Sequence, residues 1–486
     1  MAEQLKNKAV SGAGWSALDT VAKFGISFVV SLVLARLLGP EEYGLIGLLT
    51  IFINVSNTIV DSGFSNAMIR KQGIKDIDYC TVFYTNLAFS LFLVLALFFC
   101  ATPIAHFFNR IELVSLTRVM SVVIVINALA LVQETQLIKK IDFKTQTKIT
   151  IIASVLSGTI GIVMAFCGCG VWSLVGQQLS SRLLNMMFLW IFNRWMPKLQ
   201  FSWSSFKEMW GFGWKLLVSA LIDTVWKEIY HVVVGKFYSP QTLGQYTRAQ
   251  QFSSMGSSNI TSIVSRVSYP VLSSIQDDKA RLKAGYQKVI KTTMFPSFVV
   301  MMGMAAIAKP MILVLIGEKW LPCVPFLQIV CFTGMLYPLH AINLNMLKVQ
   351  GRSDLFLKLE IIKKIIAVGP LLLGIFVDIY WMLGGGFLTG LFAYYLNAYY
   401  SGPFLGYSIK EQIKDILPSF TVALLMAAIV FPISYIEISP FIILPIQILV
   451  GALFVIVVSK KINLPEYFEI KEIIAQYINK IKPRKK

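Results

Sequence analysis

Charge is scarce in this 486-residue chain: Asp, Glu, Lys and Arg make up 14% of it, against roughly 25% in an ordinary soluble domain. A soluble fold of this length needs more polar surface, so the composition excludes one. Acidic residues are scarcer still, with 25 Asp and Glu against 44 Lys and Arg. The resulting charge of +19 does not point to nucleic acid, because the basic residues sit in short gaps between apolar runs rather than on one face of a soluble domain. There are three histidines and six cysteines. Cys80, Cys100, Cys167, Cys169, Cys323 and Cys331 fall in or beside apolar runs, show no metal-ligand spacing with the histidines, and read as small buried hydrophobes. Also missing are a phosphate-cradling glycine loop ending in Lys-Ser/Thr, an HExxH, a GxSxG and any soluble segment long enough for a nucleotide site. No metal, cofactor or catalytic residue is expected, and the chain is not expected to be an enzyme. Uphill transport would have to draw on an ion gradient or the membrane potential.

What the chain does have is hydrophobic length. Hydrophobic residues make up 56% of it, aromatics 13%, and the mean hydropathy is +0.68. A membrane span needs about 20 mainly apolar residues, and on that rule the sequence predicts fourteen spans. Span 1 is Trp15–Leu38, spans 9 to 11 are Thr292–Ile316, Val324–Leu347 and Leu357–Phe376, and span 14 is Phe441–Val458. Met1 to Ser11 is polar and precedes a full-length apolar run with no small-residue cleavage site, so a spanning helix is expected there rather than a cleavable leader. Lys and Arg fill alternate gaps, among them Arg70/Lys71/Lys75, Lys139/Lys140/Lys144, Lys279/Arg281/Lys283 and the tail Lys482–Lys486. By the positive-inside rule those gaps, and both termini, are expected in the cytoplasm.

An internal repeat is visible. Gly12-Ala13-Gly14-Trp15 opens span 1 and Gly211-Phe212-Gly213-Trp214 opens span 7. Pro40 and Gly44 match Pro240 and Gly244, and Pro103 matches Pro310. Six spans per half is an even number, so the repeat is parallel, about an axis along the membrane normal. The expected divisions are an N-lobe at 1–198, a linker at 199–211, a C-lobe at 212–409, spans 13 and 14 at 410–458, and a basic cytoplasmic tail at 459–486. The linker segment Phe201–Trp210 spaces aromatics around polar residues and is either an interfacial amphipathic helix or a plain loop.

A charge inside a span costs several kcal/mol, roughly 2.5–3.5 on the lenient insertion scale, and so faces a cavity or a partner. Span 1 carries Asp19 and Lys23; span 7 carries Asp223, Lys227, Glu228 and His231. Both Asp–Lys pairs are four residues apart on one helical face, and each either lines a cavity or forms a structural salt bridge. Span 8 is polar along its length, with Arg248, Gln250, Gln251, Asn259, Arg266 and a row of serines, and should line water because lipid cannot solvate so many polar groups. Arg182, near the middle of span 6, is either an anion site or half of a buried pair. Asp61 follows Asn54, Ser56 and Asn57 in span 2, while Glu134, Gln136 and His340 fit helix packing.

Five segments carry a family resemblance. Leu34-Ala35-Arg36-Leu37-Leu38-Gly39-Pro40-Glu41-Glu42-Tyr43-Gly44 resembles the junction between the first two spans of Wzx-type polysaccharide and O-antigen exporters, in the colanic and teichuronic acid branch. Asp61–Ala67, Gln136–Phe143, Leu243–Ala249 and Arg266–Ser273 are similar to further segments of the same proteins. The resemblance implies an all-α integral membrane fold of the multidrug/oligosaccharidyl-lipid/polysaccharide exporter superfamily, with two six-helix lobes forming a V around a central cavity and two C-terminal helices. It also implies a substrate: an oligosaccharide on undecaprenyl pyrophosphate, flipped from the cytoplasmic to the periplasmic leaflet. Where relatives often carry Arg in the segment after span 4, this chain has Thr135-Gln136, and no cationic role is transferred there.

On that picture Arg248, Arg182, Lys23, Lys227 and Arg266 attract the pyrophosphate, while Gln250, Gln251 and Asn259 bind sugar hydroxyls. Asp19, Asp223, Glu228 or Asp61 would carry a coupling proton or sodium ion. The expected partners are the lipid-linked oligosaccharide, membrane lipid, and the glycosyltransferases and polymerase that make and use the glycan. The rivals are a lipid II-type flippase or a cation-coupled multidrug exporter of the same fold, and, from another class, a membrane-embedded polysaccharide polymerase. A polymerase tends to carry a large periplasmic loop, and no gap here is long enough for one.

Overall fold

The computed structural model describes residues 2–481, with side chains described except at 2–14, 16–18, 20, 21, 263, 265–267, 353, 401, 403, 474 and 476–481. Among the described residues every regular element is helical. In chain order the first helices are α1 (Ala2–Leu37), α2 (Pro40–Asp61), α3 (Phe64–Arg70), α4 (Asp76–Phe108), α5 (Glu112–Lys139), α6 (Phe143–Phe166), α7 (Val171–Asn193) and α8 (Trp203–Phe237). Then come α9 (Pro240–Ser274), α10 (Lys279–Ala306), α11 (Ala308–Leu315), α12 (Cys323–Gly334), α13 (Tyr337–Val349) and α14 (Ser353–Ile366). The last are α15 (Val368–Phe376), α16 (Ile379–Ser401), α17 (Ile409–Val430), α18 (Pro440–Lys461) and α19 (Pro465–Ile481). Nine helical stretches among the described residues are long and apolar enough to cross a membrane, and the protein is a multi-pass membrane protein. The polar helices α8 and α9 are not among the nine.

Contacts divide the chain into Met1–Gly244 and Gln245–Lys486. In the first unit α1 packs on α6, α6 on α7, α4 on α5, and α8 lies along α2. With apolar lipid all round, helices associate through close packing and polar bonds rather than hydrophobic burial, and both are present. Phe64, Met68, Val82, Phe83, Val132 and Met209 form a buried cluster roofed by Trp190, Trp195 and Trp210. Gln133 donates to the Trp195 carbonyl at 2.7 Å, and the Trp195 indole donates to Asp76 Oδ1 at 2.7 Å.

Glycines set the spacing of α8 against α2. A Cβ on Gly63 would meet the Gly213 carbonyl oxygen at 2.8 Å, and Gly63 has φ +70°, a conformation that a β-carbon disfavours. At the other end a Cβ on Gly235 would strike Leu48. The segment expected to link the lobes is, from Trp203 on, the opening turns of α8. Ser202 caps them by accepting from the Ser205 N–H at 3.2 Å.

In the second unit α10 packs on α17, α12 and α13, and α16 packs on α12, α13 and α15. Three expected spans are broken. Span 9 divides at Ile307, span 10 at Met335–Leu336 and span 11 at Ala367, each two or three residues before a proline (Pro310, Pro338, Pro370). Proline removes a donor to the carbonyl four residues earlier and crowds it; the Ala306 carbonyl so released accepts from Ser434 Oγ at 3.4 Å. The expected basic tail is helical over Pro465–Ile481. This helix is tied to α10 by Thr292 Oγ1 and Lys288 Nζ, 2.8 Å and 3.2 Å from the Glu469 carboxylate.

Candidate functional site

Two cavities lie within the first unit. One, of about 360 Å³, is walled by α1, α2, α5, α6 and α7. The other, of about 690 Å³, is walled by α2, α5, α7 and α8 together with the residues around α3. Asn54, Asn57, Glu134, Arg182 and Asn185 line both, so a polar wall is common to the two spaces.

The helices aim these groups by their 3.6-residue period. On α2, Asn54, Asn57, Thr58 and Asp61 fall on one stripe facing the larger cavity. On α7, Gln178, Ser181, Arg182 and Asn185 do the same for the smaller one. The polar groups are cross-linked. Asn54 Nδ2 donates to Glu228 Oε1 at 2.9 Å, and His231 Nδ1 lies 3.3 Å from the other Glu228 oxygen. Thr58 and Thr224 hydroxyls are 3.2 Å apart, and Asn127 donates to Asn57 at 2.9 Å. Asp61 Oδ1 accepts from Ser65 Oγ at 2.7 Å and from its N–H at 3.2 Å. Gln146 Nε2 donates to Glu134 Oε1 at 3.3 Å.

The structure collects half of the twelve expected site residues here. Asp19, Lys23 and Arg182 line the smaller cavity, and Asp61, Lys227, Glu228 and again Arg182 line the larger. Asp19 Oδ1 is enclosed without a hydrogen-bond partner among the described residues. Asp223 is an exposed residue of α8 outside both linings. Arg266 lies outside the described side chains.

The expected cavity face of α9 differs most. Arg248 is 2% exposed; its guanidinium lies 5.5 Å over the Trp320 ring and donates to Gln251 Oε1 at 2.5 Å. Enclosed in this way it presents no open face to a diphosphate in this conformation, and it belongs to neither cavity. Gln250 hydrogen-bonds Tyr337, while Asn259 is exposed and donates to the Met255 carbonyl at 2.7 Å. Ser254, Ser257, Ser258 and Ser274 bond backward into α9, as Ser254 does to Gln251 O at 2.9 Å, so these four do not require water beside them.

The residue that sequence reasoning undervalued is Glu134. Read as a packing residue, it lines both cavities and interacts electrostatically with Lys23, Arg182, Asp19 and Asp61. The available signal was an acid inside span 4, where a charge has to face a cavity or a partner. Among the described residues no three His, Cys, Asp or Glu side chains converge in a way that would hold a metal ion.

Comparison with known proteins places this site in context. Succinoglycan biosynthesis transport protein ExoT of Rhizobium meliloti (strain 1021) is 27% identical over 67% of this chain and 66% of its own length. Lipopolysaccharide biosynthesis protein WzxC of Escherichia coli (strain K12) is 23% identical over 76% of each chain. Teichuronic acid biosynthesis protein TuaB of Bacillus subtilis (strain 168) is 25% identical over 72% of this chain and 73% of its own. In fold the chain is similar to the lipid II flippase MurJ in an inward closed conformation, with a TM-score of 0.73 at 15% identity over 92% of this chain and 98% of that one. An inward-facing multidrug resistance MATE family transporter of the MOP superfamily gives 0.62 at 16% identity, over 79% and 98%. Residues 33–325, more than half of the chain, match the family described as polysaccharide biosynthesis protein, and the chain belongs to that family.

Proposed function

We propose that the protein exports a polysaccharide precursor, an oligosaccharide carried on a polyprenyl diphosphate, by flipping it from the cytoplasmic to the periplasmic leaflet of a bacterial inner membrane. The observation that carries this reading is the wall of Arg182 and Lys23 set among Asn, Gln, Ser and Thr side chains inside a membrane-embedded unit. Arg binds phosphate oxygens in pairs through its planar fork, and the neighbouring amides and hydroxyls suit sugar hydroxyls. Both are unusual in a lipid setting, where unsolvated polar groups are costly. The three named relatives, in succinoglycan, lipopolysaccharide and teichuronic acid biosynthesis, support the same reading.

The fuller picture is fourteen spans, two six-helix lobes at 1–198 and 212–409, both termini in the cytoplasm, and alternating access by rocking of the lobes. The headgroup contacts fall to Arg182, Lys23 and Lys227. Coupling to a proton or sodium ion falls to Asp19, Asp61 or Glu228, the carboxylates of the cavity walls. The test is to delete the gene in its host and measure lipid-linked oligosaccharide in each leaflet. Build-up on the cytoplasmic side, relieved by the wild-type gene, is expected; an unchanged distribution with polymer still made would overturn the reading.

A further inference from the structure

The charges that line the smaller cavity cancel. Counted formally, Lys23 and Arg182 contribute two positive charges, and Asp19 and Glu134 two negative ones. Uncompensated cations inside a membrane are costly, so an empty anion site needs such a balance. Glu134 is the carboxylate shared by both cavities, whereas Asp19 lines only the smaller and Asp61 and Glu228 only the larger. Its hydrogen bond comes from a neutral donor, Gln146, at 3.3 Å. It interacts with Lys23 and Arg182, and among the described residues no salt bridge joins it to either. A carboxylate held loosely in this way can be exchanged for another anion.

We infer that Glu134 is the resident counter-ion of the headgroup site: its carboxylate neutralises Arg182 and Lys23 while the cavity is empty, and an incoming anion must outcompete it. This rests on the reading that Arg182 and Lys23 receive the diphosphate. The consequence is selectivity. A single phosphate offers little more than the carboxylate already there, whereas a diphosphate brings more charge and a second set of oxygens to share between Arg182 and Lys23. Glu134 therefore sets a threshold that rejects small monoanions and admits diphosphate headgroups.

The test is calorimetric titration of the purified full-length protein in detergent with inorganic pyrophosphate, inorganic phosphate and farnesyl diphosphate. Glu134→Gln should bind pyrophosphate at least about tenfold more tightly than wild type, since one repelling charge near the site is removed. It should also gain measurable phosphate binding, and Glu134→Asp should keep the wild-type selectivity. Equal pyrophosphate affinity in wild type and Glu134→Gln, with Arg182→Gln weakened, would leave the anion site standing and overturn the counter-ion. Failure of Arg182→Gln to weaken binding, or no binding by any form, would instead overturn the underlying reading. A response to Glu134→Gln confined to inorganic pyrophosphate and absent for farnesyl diphosphate would overturn the lipid-headgroup assignment. Should Glu134→Gln fail to fold, Gln146→Glu adds a second carboxylate beside the first and should weaken pyrophosphate binding about tenfold; unchanged affinity there would also overturn the counter-ion.

Discussion

Gly44 and Gly244 are seated reciprocally: a Cβ on Gly44 would collide with the carbonyl of Pro240, and a Cβ on Gly244 with the carbonyl of Pro40. The two helix starts, α2 and α9, approach backbone to backbone at equivalent points of the sequence repeat. Gly44→Ala and Gly244→Ala should each lower stability by about 1–3 kcal/mol, the range for overpacking a tight contact, seen as a reduced thermal midpoint in detergent. Gly25→Ala on α1, where a Cβ would meet nothing within 4 Å, is the matched control and should be neutral or mildly stabilising. Equal behaviour of all three variants would contradict the contact.

The identical spacing of Pro40-x-x-x-Gly44 and Pro240-x-x-x-Gly244 was legible in advance as a repeat; that each glycine seats against the other's proline carbonyl was not. The breaks at Ile307, Met335–Leu336 and Ala367 were marked by Pro310, Pro338 and Pro370, yet the apolar runs continue across them and read as unbroken spans. The burial of Arg248 was not legible. An Arg in a serine-rich helix looks like a cavity residue until Trp320, more than seventy positions later, is seen to cover it. Glu134 shows the converse: alone in an apolar span it resembles a packing residue, and it takes on meaning once α1 and α7 bring Lys23 and Arg182 to the same cavity.

Lys71, between α3 and α4, lies 3.1 Å from Asp78 and 2.8 Å from Glu208 on α8. Burial pushes its pKa down, but the bonds to Glu208 and Asp78 outweigh that and hold it above the ordinary 10.5. A raised lysine pKa contributes stability that is fully present below the unfolded value and is lost as pH rises through the folded one. Lys71→Met should therefore melt below wild type at neutral pH, with the gap constant up to about pH 10 and closing above it. A gap that does not change across that range would show that the charge is not what holds the contact.

Buried against Trp320, Arg248 is expected to matter more for folding than for transport. Arg248→Ala gives up the ring contact alone at about 2 kcal/mol when desolvated, along with the packing of its stem. Membrane protein level or thermal midpoint should fall, and export per surviving molecule should stay within about twofold of wild type, a difference of only about 0.4 kcal/mol. Normal accumulation of Arg248→Ala with export abolished would return Arg248 to the transport site.

The most direct test falls on Arg182, the cation that both cavities share. Lipid-linked oligosaccharide in the cytoplasmic leaflet should be measured in cells carrying wild type, Arg182→Lys or Arg182→Gln, with each value normalised to the amount of protein in the membrane. A charge-assisted hydrogen bond is worth about 1.5–3 kcal/mol, so Arg182→Gln should export at least roughly tenfold more slowly, and Arg182→Lys should fall between it and wild type, at near-normal protein level. Export at the wild-type rate by a normally expressed Arg182→Gln protein would contradict the account.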